Sequence, residues 1–434
     1  MTDIIGVGLE RKGEEVERAV LVGTDRLVGE GLRSMDELAD LAKAAGAEPV
    51  GVMVQNREAP HQNTFLGRGK LLELKAEMAS LDATVALFDG ELSPRQVRNL
   101  VDALEGCKVL DRTELILDIF AQHAHTAEGK LQVELAQLSY LLPRLTGRGK
   151  MMDRIGGGAA GGVGVRGPGE TKLETDRRRL RARIGRLKEE LGEVSRRRDV
   201  ERDTRRRAGL STVSLVGYTN AGKSTLLNAL AGTDEVSVRD RLFETLDPTC
   251  RRVTIADHEV LLSDTVGFIH DLPKQLVEAF RATLEEVVES ELLIHVVDAS
   301  KEFALTELRS TEETLQSLNI GEKPTILALN KWDQVPAEQR ETVRGRLPEG
   351  LPLSALTGEG LDELRAEIAR RIFSKFVPLT LALPYARMDL VHLAHAHGRV
   401  FNVEYEGEAV KADVEIEEAY VERFRPFVVA TPPS

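Results

Sequence analysis

The sequence predicts a multidomain α/β protein, and three observations support that fold class. At a typical size of about 150 residues per domain, 434 residues correspond to about three domains. Two regions alternate short β-rich runs with amphipathic helical runs, as in parallel sheets covered by helices. Near the end of the chain, apolar and polar residues alternate on both sides of Glu406 and Gly407, a pattern typical of an antiparallel hairpin.

These patterns divide the chain into four expected regions. They are an N-terminal α/β domain at residues 1–125, an antiparallel helical hairpin at 126–208 with a glycine-rich tip at 143–170, a phosphate-loop domain with a mostly parallel sheet at 209–376, and a small α+β domain at 377–434. The strands of the first domain are expected at Ala19–Gly23, Pro49–Val54, Thr84–Phe88 and Lys108–Leu110, with helices between them.

Composition excludes several classes of protein. Apolar residues make up 42% of the chain, as in ordinary globular proteins, so we do not expect a disordered chain. The sequence has no secretory leader and no run of about 18 apolar residues, so we expect a cytoplasmic protein without a membrane span. We also expect a monomer that is partly associated with ribosomes. Cys107 and Cys250 are too few for a disulfide framework and are expected as thiols. Aromatic residues are only 4%, which disfavours a surface that stacks single-stranded bases.

The helical region is basic within an acidic chain. The net charge is −13, but residues 170–207 contain 15 Lys and Arg against 9 Asp and Glu. Two interpretations stay open, namely a solvated helix face with internal ion pairs and a surface that contacts RNA. Apolar seams on both sides of the tip predict two helices packed together. The seams are Leu131, Leu135, Leu138 and Leu142, then Leu173, Leu180, Ile184, Leu187, Leu191 and Val194.

The tip between these helices is dominated by glycine from Gly156 to Gly169. Glycine leaves the backbone amides accessible, so a phosphate backbone could approach this segment closely. The alternative is an idle linker, although loops of this length are usually functional or disordered.

The segment from Gly217 to Ser224 predicts a phosphate-binding loop. It has the pattern G-x4-G-K-[ST], with a β-branched strand before it and an amphipathic helix after it. Backbone amides would surround the phosphates, Lys223 would neutralise the β and γ oxygens, and the Ser224 hydroxyl would ligate Mg²⁺. The loop residues are Gly217, Tyr218, Thr219, Asn220, Ala221, Gly222, Lys223 and Ser224.

Three later segments complete a nucleotide site. Asp264 would reach Mg²⁺ through water, and the Gly267 amide would sense the γ-phosphate. Asp333 would accept hydrogen bonds from N1 and the 2-amino group of guanine, which favours GTP over ATP by a factor of about 10² to 10⁴. Ser354, Ala355 and Leu356 would support the base. The segments are Asp264, Thr265, Val266 and Gly267; Asn330, Lys331, Trp332 and Asp333; and Ser354–Leu356.

A first switch segment is expected between the phosphate loop and Asp264. Thr245 is the candidate for the second protein oxygen on Mg²⁺, with Thr249 as the alternative. A turn at Asp247 and Pro248 is a compatible interpretation. The predicted catalytic residues are Lys223, Thr245 and Gly267. The segment comprises Phe243, Glu244, Thr245, Leu246 and Asp247.

Phe268 occupies the position after Gly267, where many such enzymes carry a glutamine that orients the attacking water. A phenyl ring cannot hydrogen-bond water. We therefore expect slow intrinsic hydrolysis and a partner, or another side chain, that orders the water. By contrast, His392, His395 and His397 lack the spacing and the further ligands of a metal site, so we do not expect metal binding there.

With these motifs in place, the chain resembles the HflX family of ribosome-associated GTPases. The resemblance also covers segments outside the nucleotide motifs. They include NTFLGRGK at 63–70, FDGELSPRQVRNL at 88–100, RGPGETKLETDRRR at 166–179 and FETLDPT at 243–249. The resemblance implies the same roles for Gly217–Ser224, Phe243–Asp247, Asp264–Gly267, Asn330–Asp333 and Ser354–Leu356, with Mg²⁺ as cofactor, GTP as substrate and GDP as product.

The resemblance also implies a partner. The N-terminal domain and the hairpin tip would contact rRNA of the large ribosomal subunit, the GTP form would split stalled or idle ribosomes, and the ribosome would stimulate hydrolysis. The chain departs from the family in the extra GGAAGGV residues of the tip, in Glu244 and in Cys250, which affects the expected switch kinetics. Other functions stay open, namely an rRNA remodeller, a ribosome assembly GTPase, or a binding module that the nucleotide only stabilises.

Overall fold

The computed structural model forms two compact units, of which the first extends to residue 193 and the second contains most of the remaining chain. One long helix passes from the first unit into the second. The structure describes residues 16–25, 30–57, 59–105, 107–145, 168–207, 210–232, 249–256, 258–269, 281–318, 320, 323–373, 376–396, 398–406 and 409–430.

A four-stranded parallel sheet forms the centre of the first unit, with the strand order β2-β1-β3-β4. Three of the four predicted β-rich runs lie within these strands, and the fourth, Thr84–Phe88, begins one residue before its strand, so the four strand predictions are confirmed. Parallel neighbours need crossover connections, and helices supply them. The strands are β1 (Arg18–Asp25), β2 (Glu48–Asn56), β3 (Val85–Phe88) and β4 (Lys108–Asp111).

Helices cover this sheet and bury its apolar residues. Leu74 and Leu100, from the second and third helices, pack with Val20, Val22 and Phe88 of the strands. The third helix starts with a capping box, in which the Ser93 and Gln96 side chains each bond to the other's backbone amide. The helices are α1 (Glu30–Ala45), α2 (Arg68–Ser80), α3 (Pro94–Ala103) and α4 (Arg112–His123).

Two further helices, α5 (Ala127–Arg144) and α6 (Pro168–Arg207), contain the two apolar seams. The expected stop of the first helix at Pro143 is one residue early, because the Leu145 amide still bonds to the Leu141 carbonyl and closes the last turn. The two helices are joined by Arg183, whose guanidinium donates two hydrogen bonds of 2.7 Å to the Glu134 carboxylate. Their antiparallel orientation and the four domain boundaries stay predictions.

A buried polar network lies at the end of α5, where the chain leaves toward the glycine-rich tip. The Asp111 carboxylate is almost fully buried and accepts hydrogen bonds from the Tyr140 hydroxyl, from Arg144 and from the amides of Leu92 and Glu114. The Arg144 guanidinium stacks 3.4 Å from the centre of the Tyr140 ring. Burial raises the pKa of Asp111, and Arg144 and Tyr140 oppose that rise by stabilising the charged form. This network fixes the residues from which the tip extends.

The second unit contains a six-stranded sheet with the order β10-β9-β8-β5-β7-β6. All pairs are parallel except β6 with β7, which form an antiparallel hairpin at the edge. This matches the mostly parallel sheet expected for residues 209–376. The strands are β5 (Ser211–Gly217), β6 (Thr249–Ile255), β7 (His258–Asp264), β8 (Leu292–Asp298), β9 (Thr325–Asn330) and β10 (Leu351–Pro352).

Helices enclose this sheet in apolar clusters. Leu226 and Ile368 belong to a cluster with Leu215, Leu262 and Ile294 of the strands. A separate cluster joins residues of α8 and α9 to Val216 and Leu293. The helices of this region are α7 (Lys223–Ala231), α8 (Arg281–Glu289), α9 (Ala304–Ser317), α10 (Ala337–Arg346) and α11 (Leu361–Phe373).

The C-terminal part is a small α+β domain, as expected. Its antiparallel sheet has the order β12-β13-β11-β14, and helix α12 (Met388–Ala396) packs on it through Leu390 and Ala394. Glu406 pairs with Ala409, which confirms the predicted hairpin. The strands are β11 (Phe376–Pro384), β12 (Gly398–Glu406), β13 (Ala409–Glu417) and β14 (Val428–Ala430), and a short helix, α13 (Val421–Phe424), precedes the last strand.

Among the described residues, no helix combines the length and the apolar character that crossing a bilayer would require.

The network around Asp111 generates a stability prediction. Replacing Tyr140 with Phe removes one hydrogen bond from a buried carboxylate, so local opening of α4 and α5 should become easier by about 1–3 kcal/mol. Hydrogen exchange read by mass spectrometry over these two helices measures the change. Tyr385→Phe is the matched control, because that ring is 45% exposed and its change should leave protection unaltered. Equal protection in the wild type and Tyr140→Phe would contradict the stabilising role of the network.

Candidate functional site

The predicted nucleotide residues meet at one edge of the six-stranded sheet. Strands β5, β7, β9 and β10 are parallel to one another through the sheet. The first three end on the first residue of a predicted segment, and β10 ends two residues before Ser354. Because the carboxyl ends of parallel strands share an edge, the tertiary structure brings together motifs separated by more than a hundred residues.

The phosphate loop connects β5 to α7, as predicted. Gly222 has φ 92°, a left-handed conformation that an L side chain rarely adopts. A Cβ atom there would lie 2.3 Å from the Asn330 amide nitrogen, so glycine is required for contact between the two segments. Asn330 donates to the Ala221 carbonyl at 2.8 Å and accepts from the Ala355 amide at 2.9 Å. One side chain therefore connects the phosphate loop to the segment at Ser354–Leu356.

Lys223 lies within the phosphate loop. Its ammonium group donates to the carbonyls of Gly217 and Tyr218 at 3.2 and 3.0 Å. Burial lowers the pKa of Lys223 to about 8, and the nearby Asp264 charge partly opposes this. A desolvated cation held in this way is a strong binding group for phosphate oxygens, because no water has to be removed from it first.

Ser224 and Asp264 lie side by side at the start of α7. The Ser224 hydroxyl donates to the Asp264 carboxylate at 2.6 Å, and Asp264 is fully buried. A hydroxyl and a carboxylate oxygen at one point are the donor types that Mg²⁺ prefers, so the residues present fit that ion. The described part of the chain contains no cluster of three or more His, Cys, Asp or Glu side chains able to hold a metal ion.

The segment after Asp264 passes close to the phosphate loop. A Cβ atom on Gly267 would lie 2.7 Å from Thr219 Cγ2 and 3.2 Å from the Lys223 ammonium, so a side chain there would displace the loop. Two backbone hydrogen bonds hold the approach, from the Phe268 amide to the Gly217 carbonyl and from the Thr219 amide to the Phe268 carbonyl. Gly267 is therefore placed where the sequence predicted a γ-phosphate sensor.

Phe268 is oriented away from the nucleotide edge. Its side chain is 2% exposed and packs with Val216, Leu284 and Val287 in an apolar cluster. Phe268, at the position where many such enzymes carry a water-orienting glutamine, is thus part of the apolar core. This agrees with the expectation that Phe268 cannot align an attacking water.

The base-binding residues follow β9. Lys331 has a left-handed backbone conformation with φ 59° and forms an ion pair of 2.8 Å with Asp298. Trp332 is buried, and a short 3₁₀ turn at Trp332–Gln334 leaves Asp333 exposed. Its carboxylate is therefore accessible to a ligand. In the neighbouring segment Ser354 and Ala355 are buried, while Leu356 is 76% exposed.

Two residues of the site were not singled out from the sequence. Asp298 orients Lys331, and its other oxygen accepts hydrogen bonds from the amide and hydroxyl of Ser300. His295 is buried in β8, and burial together with the Lys223 charge lowers its pKa to about 4. The only sequence signal for either was a polar residue in the otherwise apolar run LLIHVVD.

The first switch segment lies outside the described residues. Phe243, Glu244, Thr245, Leu246 and Asp247 all fall in the gap between residues 232 and 249, so their predicted roles are not tested. Thr249, the alternative metal ligand, opens β6 and pairs with Asp264.

The fold and the grouping of these motifs define a P-loop GTPase. Four family models match successive parts of the chain. They describe a GTP-binding GTPase N-terminal region at 32–121, a GTP-binding GTPase middle region at 123–205, a 50S ribosome-binding GTPase at 212–331 and an HflX C-terminal domain at 343–424.

Full-length relatives agree with these models. GTPase HflX of Caldanaerobacter subterraneus is 40% identical over 98% of this chain and 97% of its own length. GTPase HflX of Lacrimispora saccharolytica is 44% identical over 91% and 92%, and that of Escherichia coli is 44% identical over 85% and 86%. The chain therefore belongs to the HflX family of GTPases and hydrolyses GTP.

The burial of Phe268 predicts how a glutamine would behave there. Phe268→Gln should not accelerate GTP hydrolysis, because the backbone directs this side chain into the core. It should lower the free energy of unfolding by about 3 kcal/mol or more, since it leaves a cavity and buries an amide. Turnover and thermal unfolding measure the two effects, with Phe268→Leu as the apolar control. A stable glutamine variant with faster turnover would show that the side chain can reach the nucleotide.

Asp333 generates a prediction of base specificity. Asp333→Asn replaces two accepted hydrogen bonds by an amide that matches the carbonyl of xanthine, so preference should move from guanine toward xanthine nucleotides. We expect GTP affinity to fall by a factor of about 10² or more. Competition binding with GTP and XTP measures the change. The control is Asp362→Asn, which makes the same replacement at an exposed position of α11 and should leave base preference unchanged. Unchanged GTP selectivity would contradict the assigned role.

Proposed function

We propose that this chain is a GTP-controlled switch that binds the large ribosomal subunit and, in its GTP form, splits stalled or idle ribosomes into subunits. The buried Phe268 carries the proposal that hydrolysis depends on a partner, because this position then supplies no group to order the attacking water. The match of residues 212–331 to a 50S ribosome-binding GTPase model supports the ribosome as that partner.

In this proposal each site residue has a separate role. Lys223 and the loop amides bind the β and γ phosphates, Gly267 senses the γ-phosphate, and Asp333 selects guanine. Ser224 and Thr245 hold Mg²⁺, with Asp264 acting through water. When bound, Mg²⁺ offsets the negative charge of the phosphate oxygens during transfer to water.

Contact with rRNA is assigned to the first unit and the glycine-rich tip. Helix α6 presents an exposed series of cations at Arg178, Arg179, Arg181, Arg186 and Lys188. Some of these cations pair with acidic neighbours, such as Arg179 with Asp176 at 3.7 Å, on a surface where such pairs contribute little. The remaining positive charge is available to phosphates. The tip itself lies outside the described residues.

Purified large subunits test the proposal. GTP turnover should rise strongly when they are added, and sedimentation of ribosomes incubated with the GTP-loaded protein should show free subunits. Lys223→Ala should abolish both the stimulated turnover and the splitting, because the phosphates lose their buried cation. Lys411→Ala removes an exposed lysine of β13 and should keep both activities. Stimulation by naked RNA but not by large subunits would favour an rRNA remodeller. Splitting by Lys223→Ala would favour a binding module.

Deleting Gly156–Gly164 separates binding of nucleotide from action on the ribosome. We expect the shortened protein to bind GTP with unchanged affinity and to lose splitting, because the tip no longer reaches rRNA. Unchanged splitting would make this loop an idle linker.

A further inference from the structure

The small C-terminal domain contacts the nucleotide-binding sheet at the edge opposite the phosphate loop. Arg399 of β12 is central to that contact. Its guanidinium lies 4.6 Å from the centre of the Phe373 ring and 5.3 Å from that of Phe376, within the range of cation–π attraction. It also donates a hydrogen bond of 2.8 Å to the Ser211 hydroxyl. Ser211 is the first residue of β5, the strand that ends in the phosphate loop.

A second contact reaches the β6–β7 hairpin. Glu415 lies directly opposite Arg399 in the β12–β13 pair, and its carboxylate is 3.4 Å from His258 Nε2. The His258 ring also packs 4.3 Å from the centre of Phe373. His258 is the first residue of β7, which ends at Asp264, and β6 begins at Thr249. The two far ends of this hairpin therefore adjoin the two segments expected to respond to the γ-phosphate.

The charges at this junction depend on one another. Burial lowers the pKa of Arg399, and the carboxylates of Glu415 and Glu291 oppose that shift. Burial raises the pKa of Glu291, and its hydrogen bond to Ser211 and the Arg399 charge oppose that rise. Lys323, near Ser290, supplies a second cation beside Glu291. Without Arg399, the half-buried carboxylate of Glu415 and the carboxylate of Glu291 would lose a counter-charge.

Apart from this junction, the hairpin is held by helix packing and by β5. Val253 and Ile255 of β6 lie in the apolar cluster that contains Leu226 and Ile368. β6 is the edge strand of the sheet, and β7 connects the hairpin to β5 by backbone pairing and by a bond of 2.7 Å between the hydroxyls of Ser214 and Ser263. Arg399 and Glu415 fix the starts of β5 and β7 to a single rigid pair of strands. The relative position of the two strands is thereby set at the end remote from the nucleotide.

We propose that the C-terminal domain is a positioning element for the GTPase site. Through Arg399 and Glu415 it fixes the starts of β5 and β7, and so determines how readily Asp264–Gly267 approaches a γ-phosphate. Arg399 is a positioning residue, because it lies at the opposite end of β5 from the phosphate loop. The inference rests on GTP binding by this sheet and is independent of what the protein does to ribosomes.

Nucleotide discrimination in the absence of ribosomes tests this inference. Arg399→Ala in the full chain should lower affinity for a non-hydrolysable GTP analogue by about tenfold, because only the γ-phosphate form requires the closed arrangement. Affinity for GDP should change less than about twofold. Arg399→Lys, which keeps the charge, should restore part of the difference. Titration with fluorescent GDP and with the fluorescent GTP analogue measures both affinities.

Two further variants control for effects on folding. Arg387→Ala removes another arginine of the same domain, which stacks on Phe427 and pairs with Asp389 away from the junction, and it should leave both affinities unchanged. Ser211→Ala removes the hydroxyl that accepts the Arg399 hydrogen bond. It should change the ratio of GTP-analogue affinity to GDP affinity in the same direction as Arg399→Ala, by a smaller factor. If Arg399→Ala does not fold, the affinities of Ser211→Ala and Arg399→Lys for GDP and for the GTP analogue test the inference instead. Equal changes for GDP and the GTP analogue, or none, would overturn the inference, even if the protein splits ribosomes as proposed.

Discussion

The nucleotide site depends on close backbone approach between loops that belong to different strands. Gly222 lets the phosphate loop contact Asn330, and Gly267 lets the segment after Asp264 pass beside Thr219 and Lys223. A Cβ atom at either position would overlap atoms already present, so the arrangement exists only because these residues lack one. The Asn330 side chain then joins the phosphate loop to the base-binding segment by two hydrogen bonds. Binding of phosphate and recognition of guanine are consequently parts of one connected structure.

The same edge contains the observation behind the proposal that a partner stimulates hydrolysis. The site supplies a buried cation, a glycine amide and oxygen ligands, all of which bind and orient a triphosphate. The side chain that would align water is instead Phe268, which stabilises the apolar cluster under the loop. A residue that contributes to the core cannot also move out to the nucleotide without a large cost. In the proposed function, the chain therefore supplies nucleotide binding and the partner supplies the group that orders water.

Polar networks of different kinds occur in the two units. In the first unit, Asp111, Tyr140 and Arg144 are buried together and are joined by hydrogen bonds, which suits a fixed base for the tip. At the C-terminal junction, Arg399 and Glu415 are only partly buried and face charged and aromatic neighbours. The first network holds the residues that precede the tip. The second, in our proposal, fixes the starts of β5 and β7.

The sequence by itself determined the local features of the fold and site. Strand periodicity located β1 to β5, and the motifs at Gly217–Ser224, Asp264–Gly267 and Asn330–Asp333 predicted the nucleotide residues. Strand, turn and phosphate-loop chemistry each need particular residue types at fixed spacing. Only the tertiary structure decided that Phe268 is directed inward, that Asn330 bridges two loops, that Asp298 holds Lys331, and that Arg399 reaches Ser211. These contacts join residues up to 188 positions apart. No local pattern encodes them, since they depend on which strands become neighbours in the sheet.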